Sequence, residues 1–243
     1  MSSLIIPEWP APANVRACST TRIGGVSQQP YDSLNLGAHV ADDPVHVLKN
    51  RHLLCDIAGL PAMPLWLNQV HGTHVVTLPH TGDCVPQADA CYTRAEGQVC
   101  AVMTADCLPV IFCSKDGREV AAAHAGWRGL CAGVLESTLA TFRRPPEDIL
   151  VWLGPAIGPQ AFEVGPEVRE AFIAHDPAAA EAFIPYQHKY LADLWTLSRQ
   201  RLSRAGVTAV YGGGRCTYSE SGSFFSYRRE RVTGRMATLV WLV

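Results

Sequence analysis

Three short segments of this chain concentrate side chains able to bind a metal or attack a substrate. They are Asn68-Gln69-Val70-His71-Gly72, Thr104-Ala105-Asp106-Cys107-Leu108-Pro109, and Ala122 to Gly129 around His124. Each sets a His or Cys at the end of an apolar stretch and beside a turn. Such positions suit a site, because a sheet holds the residue in place while the loop leaves access. Two imidazoles and one thiolate (His71, His124 and Cys107) match zinc, whose catalytic sites use three protein ligands and keep a fourth position for water. The apolar residues around them would keep the site dry and strengthen the metal's field. The same residues also allow Cys107 to act as a nucleophile with His124 as its base, and Asp106 to orient the imidazole. Plain readings exist beside both: Cys107 as a buried core thiol, and His124 as a core histidine bonded to a backbone carbonyl. Spacings of 36 residues (107 − 71) and 17 residues (124 − 107) match no local zinc pattern. His71 and His74 lie three apart, and on a strand at most one of them would face the site. Residue types alone leave these alternatives open.

A second kind of chemistry is suggested near the N-terminus. The loop Thr20 to Ser27 carries Arg22, Gly24, Gly25 and Ser27, a combination that can cradle a phosphate or carboxylate through backbone N–H groups or form an ordinary glycine turn. Asn35 in Ser33–Gly37, and Asn50 with Arg51, add polar groups able to converge on it. Near the C-terminus, Phe224–Arg229 with Thr233-Gly234-Arg235 is basic and aromatic. By itself it reads as a solvated strand or loop with an aromatic anchor.

The elements that must position these groups show up as short apolar runs. Val15–Thr20, Val99–Thr104, Leu108–Cys113, Val120–Ala123, Ile149–Leu153 and Met236–Val243 read as buried strands. Ser114 to Gly117 signals a hairpin between two of them. Helical spacing runs from Leu130 to Phe142, closed by Pro145-Pro146, and again from Leu191 to Leu202, ended by Gly206. A shorter helix is expected over Pro166–Ala174. Several strands follow one another with no room for a crossover helix, so mixed or antiparallel sheets flanked by helices are favoured over a doubly wound parallel sheet. No repeat or linker divides the chain, and one α/β unit of the α+β type over residues 1–243 is expected.

Composition narrows the function. Twenty basic residues against twenty-two acidic ones give a net charge of −2, with no basic excess for nucleic acid to track. Hydrophobic residues form 48% and charged residues 17% of the 243, enough apolar material for a sizeable core. The nine cysteines are odd in number and do not cluster as in a secreted scaffold, which points to reduced thiols in a cytoplasm. The start lacks a basic n-region, and no apolar stretch approaches the roughly 18 residues of a membrane span. Walker, Rossmann, nucleophile-elbow and H-E-x-x-H signatures are absent.

Read together, TTRIGGVS (20–27), SLNLG (33–37), TADCLPV (104–110), AAHAGWRG (122–129), GPAIGPQAFEV (154–164) and FFSYRR (224–229) resemble the bacterial YfiH family. That family is also labelled laccase-domain or polyphenol oxidase, and purine nucleoside phosphorylase. The resemblance runs in order along the whole chain. It implies a fold of mixed sheets with flanking helices, similar to the catalytic domain of cytotoxic necrotizing factor. It implies a zinc site, with copper as the alternative metal, at His71, Cys107 and His124. The implied activity is phosphorolysis of adenosine, inosine and methylthioadenosine, with deamination of adenosine. Under it Cys107, Asp106 and His71 are the expected catalytic residues, Asp106 shuttling a proton. Arg22, Gly24, Gly25, Ser27, Asn35 and Arg51 are the expected phosphate or substrate contacts. The partners expected are a purine nucleoside and phosphate, with no nucleic acid and no membrane, for a monomer or homodimer. An amidase editing peptidoglycan precursors and a copper-dependent polyphenol oxidase are the other activities associated with the resemblance. The oxidase fits poorly: the nine histidines include no H-x-H pair from which to assemble a multicopper cluster.

Overall fold

The strongest apolar runs all become strands. In the computed structural model, which describes residues 2–82 and 84–243, the first strands in chain order are β1 (Leu4–Ile5), β2 (Val15–Thr20), β3 (Val75–Leu78) and β4 (Ala90–Thr93). Next come β5 (Val99–Thr104), β6 (Leu108–Ser114), β7 (Val120–Ala125) and β8 (Ile149–Leu153). The last are β9 (Glu163–Val164), β10 (Phe183–Tyr186), β11 (Lys189–Ala192), β12 (Ala209–Gly212) and β13 (Met236–Leu242). Helices are α1 (Pro44–Ala58), α2 (Trp127–Ala132), α3 (Val134–Leu139), α4 (Pro166–His175), α5 (Leu194–Arg204) and α6 (Tyr227–Glu230).

Two larger sheets stack face to face. One has the order β1-β2-β13-β5 and is antiparallel throughout; the other has the order β12-β8-β6-β7-β4-β3, with parallel pairs only at its two edges. A small third sheet, β10-β11-β9, lies apart. Side chains alternate across each strand, and both larger sheets use both faces. Cys100 and Val102 of β5 meet Ile111, Cys113, Val120 and Ala122 between the sheets. Val99 and Ala101 of the same strand pack outward with Leu54 of α1. Phe112, Ala121 and Ala123 face outward from the larger sheet, onto Leu135 of α3 and Leu197 of α5. Four layers result, helix on sheet on sheet on helix, and the expected mixed α/β architecture holds.

Several elements differ from expectation. The apolar face over Leu130–Phe142 is split into α2 and α3 by Gly133, whose φ of 103° no continuing helix accommodates. Leu191 belongs to β11, and the helix after it opens only at Leu194, where Asp193 caps the N–H groups of Trp195 and Thr196. Helix α1 had no clear periodic signal, because it leaves Val45, Leu48 and Ile57 exposed while burying Asn50. Expectation also left Phe224–Arg229 at the surface. Phe224 and Phe225 are instead fully buried, and Tyr227–Glu230 forms α6. Among the described residues no helix is long and apolar enough to cross a membrane.

Candidate metal centre

The chain crosses from one large sheet to the other between β5 and β6, and Ala105-Asp106-Cys107 is the crossing. Asp106 turns it with φ 95°. Pro109 pairs with His124 across β6 and β7, so Cys107 reaches the level of His124 at the same sheet end. His71 arrives from a separate turn before β3, itself at φ 61°. There His71, Cys107 and His124 place one ligand atom each within 4.8 Å of one another. Cys107 Sγ lies 3.9 Å from His71 Nε2, and the two imidazoles meet edge to face at 4.8 Å between centroids. His124 is buried, Cys107 half-buried and His71 exposed, so the cluster opens on the His71 side. Among the described residues this is the one group of three or more such side chains close enough to hold a metal. His74 stands outside it.

A residue that the sequence reading passed over organises the cluster. Asp89 is fully buried just before β4, and its Oδ1 accepts from His124 Nδ1 at 2.8 Å and from the His71 N–H at 2.9 Å. Its Oδ2 accepts the N–H groups of Val70 (3.1 Å) and Gly72 (2.6 Å). One carboxylate thus sets the His124 tautomer, leaving Nε2 for the cluster, and folds the turn that presents His71. Burial pushes the Asp89 carboxyl upward in pKa, but the hydrogen bonds from His124 and the Gly72 and Val70 amides outweigh it and hold it below the ordinary value. Gln69 anchors the same turn from the other side. Its amide donates to Met103 O (2.8 Å) and accepts from Met103 N (2.7 Å), satisfying β5 at the edge of its sheet.

The charges are coupled. Burial opposes ionisation of Cys107, yet the charge and hydrogen bond of His124, reinforced by His71, bring its thiol down to about 6. Burial likewise disfavours the His124 imidazolium, but the Cys107 thiolate and Asp89 lift it to about 9. A stabilised thiolate and two imidazoles, with His124 giving up its proton as the ion binds, are what a borderline-soft cation requires. A tetrahedral zinc site with bonds of about 2.0–2.3 Å holds its ligand atoms about 3.5 Å apart, slightly tighter than the observed spread. The carboxylate behind His124 is the outer-shell partner such a ligand normally has. The donor set fits zinc, and the same donors suit copper.

Close packing around the cluster depends on Gly126. A Cβ there would stand 2.8 Å from His71 Cδ2 and 3.0 Å from Cys107 Sγ, although its φ of −63° and ψ of 156° suit any residue. Gly126→Ala should therefore leave the chain folded while weakening metal binding by about 10- to 100-fold, as displaced ligands do. Competition against a chromophoric chelator measures this, and an unchanged affinity would remove Gly126 from the site.

The cluster forms one wall of a cavity of ≈ 470 Å³, also lined by His39, Asn68, Gln69, Thr104, Tyr227 and Arg235. That volume falls within the range of about 300–1,000 Å³ usual for small-ligand pockets. The expected substrate residues stand elsewhere. Arg22 lines a separate cavity of ≈ 580 Å³. Its guanidinium is committed to Asp32, Ser221 and Glu230, and it stacks 4.7 Å over Phe225. The N–H groups of Gly24 and Gly25 both go to Ser33 Oγ, and Ser27 Oγ goes to Asp42. These bonds close the loop on itself and turn its glycine N–H groups away from an anion. Asn35 bridges Gly37, Asp42 and the Arg235 N–H, while Arg51 donates to Leu36 O and stacks on Trp66. Asn35 thereby braces Arg235 in the cavity wall from behind.

Asp106 differs from expectation too. Its carboxylate accepts from Thr217 Oγ1 (2.6 Å) and the Arg228 N–H (2.7 Å), outside the cavity lining. The carboxylate that orients His124 is Asp89, and Asp106 ties the C-terminal loops to the crossing that carries Cys107. Asp89 had one signal in the sequence, a lone acid in the apolar run Ala88-Asp89-Ala90-Cys91. Arg235 had another, a basic residue directly before the last apolar strand.

Comparison with known proteins places this arrangement. A family described as multi-copper polyphenol oxidoreductase laccase matches residues 16–243. A protein of Escherichia coli (strain K12) named purine nucleoside phosphorylase YfiH is 61% identical over 243 residues, covering 100% of both chains. A purine nucleoside phosphorylase of Pseudomonas aeruginosa is 55% identical over 244 residues, covering 100% of this chain and 99% of its own. The crystal structure of a Neisseria meningitidis protein superposes with a TM-score of 0.96 at 51% identity, over 99% of each chain. That of YlmD from Geobacillus stearothermophilus does so at 0.91 and 33%, over 99% of this chain and 96% of its own.

Proposed function

The chain belongs to the family described as multi-copper polyphenol oxidoreductase laccase, and on that footing we propose that it is a purine nucleoside phosphorylase working at the His71–Cys107–His124 cluster. One observation carries the reading. Three convergent metal donors form the wall of a nucleoside-sized cavity in a chain that matches a named purine nucleoside phosphorylase end to end. Adenosine, inosine and methylthioadenosine are the proposed nucleosides, cleaved to base and the sugar 1-phosphate, with deamination of adenosine at the same site. Zinc is the proposed metal; when bound it would supply a polarising positive charge and an activated water near neutral pH. Around it His124, held by Asp89, offers a fixed donor, and the half-buried position of Cys107 keeps bulk water to the His71 side. Cytoplasmic action as a monomer or homodimer completes the proposal.

Cys107, His124 and Asp89 also have the connectivity of a thiol-hydrolase triad, so metal removal belongs in the test. The zinc-loaded protein is incubated with each nucleoside, with and without phosphate, and products are identified by mass spectrometry. Ribose 1-phosphate (methylthioribose 1-phosphate from methylthioadenosine) should form only with phosphate, inosine should form from adenosine without it, and both activities should fall on chelation. Sugar 1-phosphate absent for all three nucleosides would overturn the phosphorolytic reading. Full activity after chelation would assign Cys107 as a nucleophile instead.

A further inference from the structure

Phosphorolysis needs a place for the phosphate dianion, and in the loop around Arg22 the glycine N–H groups and most of the guanidinium are already committed within the protein. We infer that inorganic phosphate binds in the metal-side cavity against the Nε–Nη2 edge of Arg235, with His39 beside it. The inference rests on the phosphorylase reading and locates the second substrate of that reaction.

Four features carry it. First, Arg235 lines the same cavity as the His71–Cys107–His124 cluster, and no Asp or Glu lines it with them. The Arg22 cavity, by contrast, contains Asp32 and Glu230. The Cys107 thiolate and Asp106 act on its charge from a distance, but no carboxylate pairs with the guanidinium directly, and an anion can take that place.

Second, the fork is half used. Nη1 donates to the carbonyls of Thr233 (3.1 Å) and Gly234 (3.0 Å), while Nε and Nη2 have no partner among the described residues. That leaves free the paired edge with which arginine grips two phosphate oxygens at once.

Third, the side chain is fixed before any ligand arrives. The Arg235 N–H is held by Asn35 Oδ1 at 2.9 Å, and the stem passes Gly37 so closely that a Cβ there would lie 2.7 Å from Arg235 Cγ. The same Cβ would lie 3.4 Å from His39 Cε1, so the two cationic-type side chains cross at one glycine. Fourth, burial, then the charges of Arg235 and Arg51, push the His39 imidazolium down in pKa. His39 thus stands within electrostatic reach of both guanidiniums at the cavity wall.

The step this serves balances without another reactant. A phosphate oxygen forms a bond to ribose C1′ as the C1′–N9 bond breaks, the bonding pair leaves with N9, and the proton of hydrogen phosphate ends on the purine. Arg235 holds the attacking dianion and does not itself gain or lose a proton.

The test uses the metal-loaded full chain and the variants Arg235→Gln and Arg235→Lys. Phosphate binding is followed directly by titrating inorganic phosphate into each protein and recording phosphorus NMR line width. KM is then measured separately for phosphate and for inosine. Loss of a bidentate charged contact predicts a phosphate KM and a phosphate dissociation constant raised roughly 10- to 100-fold in Arg235→Gln. The inosine KM should stay within about twofold. Arg235→Lys, which keeps charge but not the fork, should fall between the two. Unchanged phosphate binding in a folded, metal-loaded Arg235→Gln, or a rise confined to the inosine KM, would overturn the inference. The titration needs no turnover, so a wild-type protein that makes no sugar 1-phosphate would sink the phosphorylase reading while the phosphate site was still judged on binding.

Discussion

Cys107→Ala and His71→Ala are each expected to drop bound metal from about one ion per chain to a small fraction of that, and to abolish sugar 1-phosphate formation. The expectation follows from donor count. A three-ligand site that loses its thiolate keeps two neutral imidazoles, and one that loses His71 keeps no donor on its exposed side. Catalysis should fall by about 10³-fold or more, since the polarising charge goes with the ion. The two substitutions differ in what they leave behind. In Cys107→Ala, His124 loses the thiolate, the foremost group raising its pKa above that of a free imidazole. In His71→Ala, Cys107 and His124 still face each other as a thiolate–imidazolium pair. A thiol hydrolase would thus survive His71→Ala and fail with Cys107→Ala, whereas a metal enzyme fails with both. Metal content by atomic emission, read beside product formation, checks the result. A His71→Ala protein with wild-type turnover would remove the metal from the mechanism.

Asp89→Asn is the second large effect. Each carboxylate oxygen of Asp89 accepts two N–H groups, and an amide presents one oxygen and one NH₂. Either amide orientation therefore turns a donor toward two others: the Val70 and Gly72 amides, or the His71 amide and His124 Nδ1. Because the site is fully buried, water cannot relieve the clash. Breaking a buried charged partnership in this way costs about 3–5 kcal/mol, which denaturant unfolding of the metal-free protein would register. Metal affinity should also fall about 10- to 100-fold, because the second-sphere carboxylate no longer fixes the His124 tautomer. A purely structural Asp89 would lower the unfolding free energy and leave the affinity of the folded protein unchanged, and that outcome would separate the two roles.

The readable parts of the fold are those set by local pattern. β5 (Val99–Thr104) and β8 (Ile149–Leu153) occur with the bounds their apolar runs suggest, because a strand buried on both faces needs an unbroken run and ends where it stops. The hairpin at Ser114–Gly117 follows for the same local reason. Helix α1 was hidden, since its buried face includes Asn50, whose amide bridges Ser27 and the Ser33 and Asn35 carbonyls. A polar residue buried for its hydrogen bonds is invisible to a hydrophobic period. The break at Gly133 was hidden as well: its neighbours keep helical spacing on either side, and only backbone geometry shows the reversal.

The candidate site divides along a similar line. His71, Cys107 and His124 were legible as residue types at strand ends, and the family resemblance named them as one ligand set. Asp89, Gln69 and Arg235 were not, because their importance lies in partners 18 to 200 residues away. Arg22 shows the opposite limit. A basic residue before two glycines has the composition of an anion loop, and whether its donors are free depends on Asp32 and on Glu230, 208 residues later.

Residue order alone determined six of the strands and that the sheets are mixed, and it marked three side chains as having the chemistry of metal ligands. It settled these because alternation and ligand type are local properties, carried by a residue and its near neighbours. Where the free positive charge lies, which carboxylate orients the histidine, and which glycine admits the cluster were decided by packing. Each depends on distances between residues far apart in the chain, and those distances exist only once the two sheets have closed on one another.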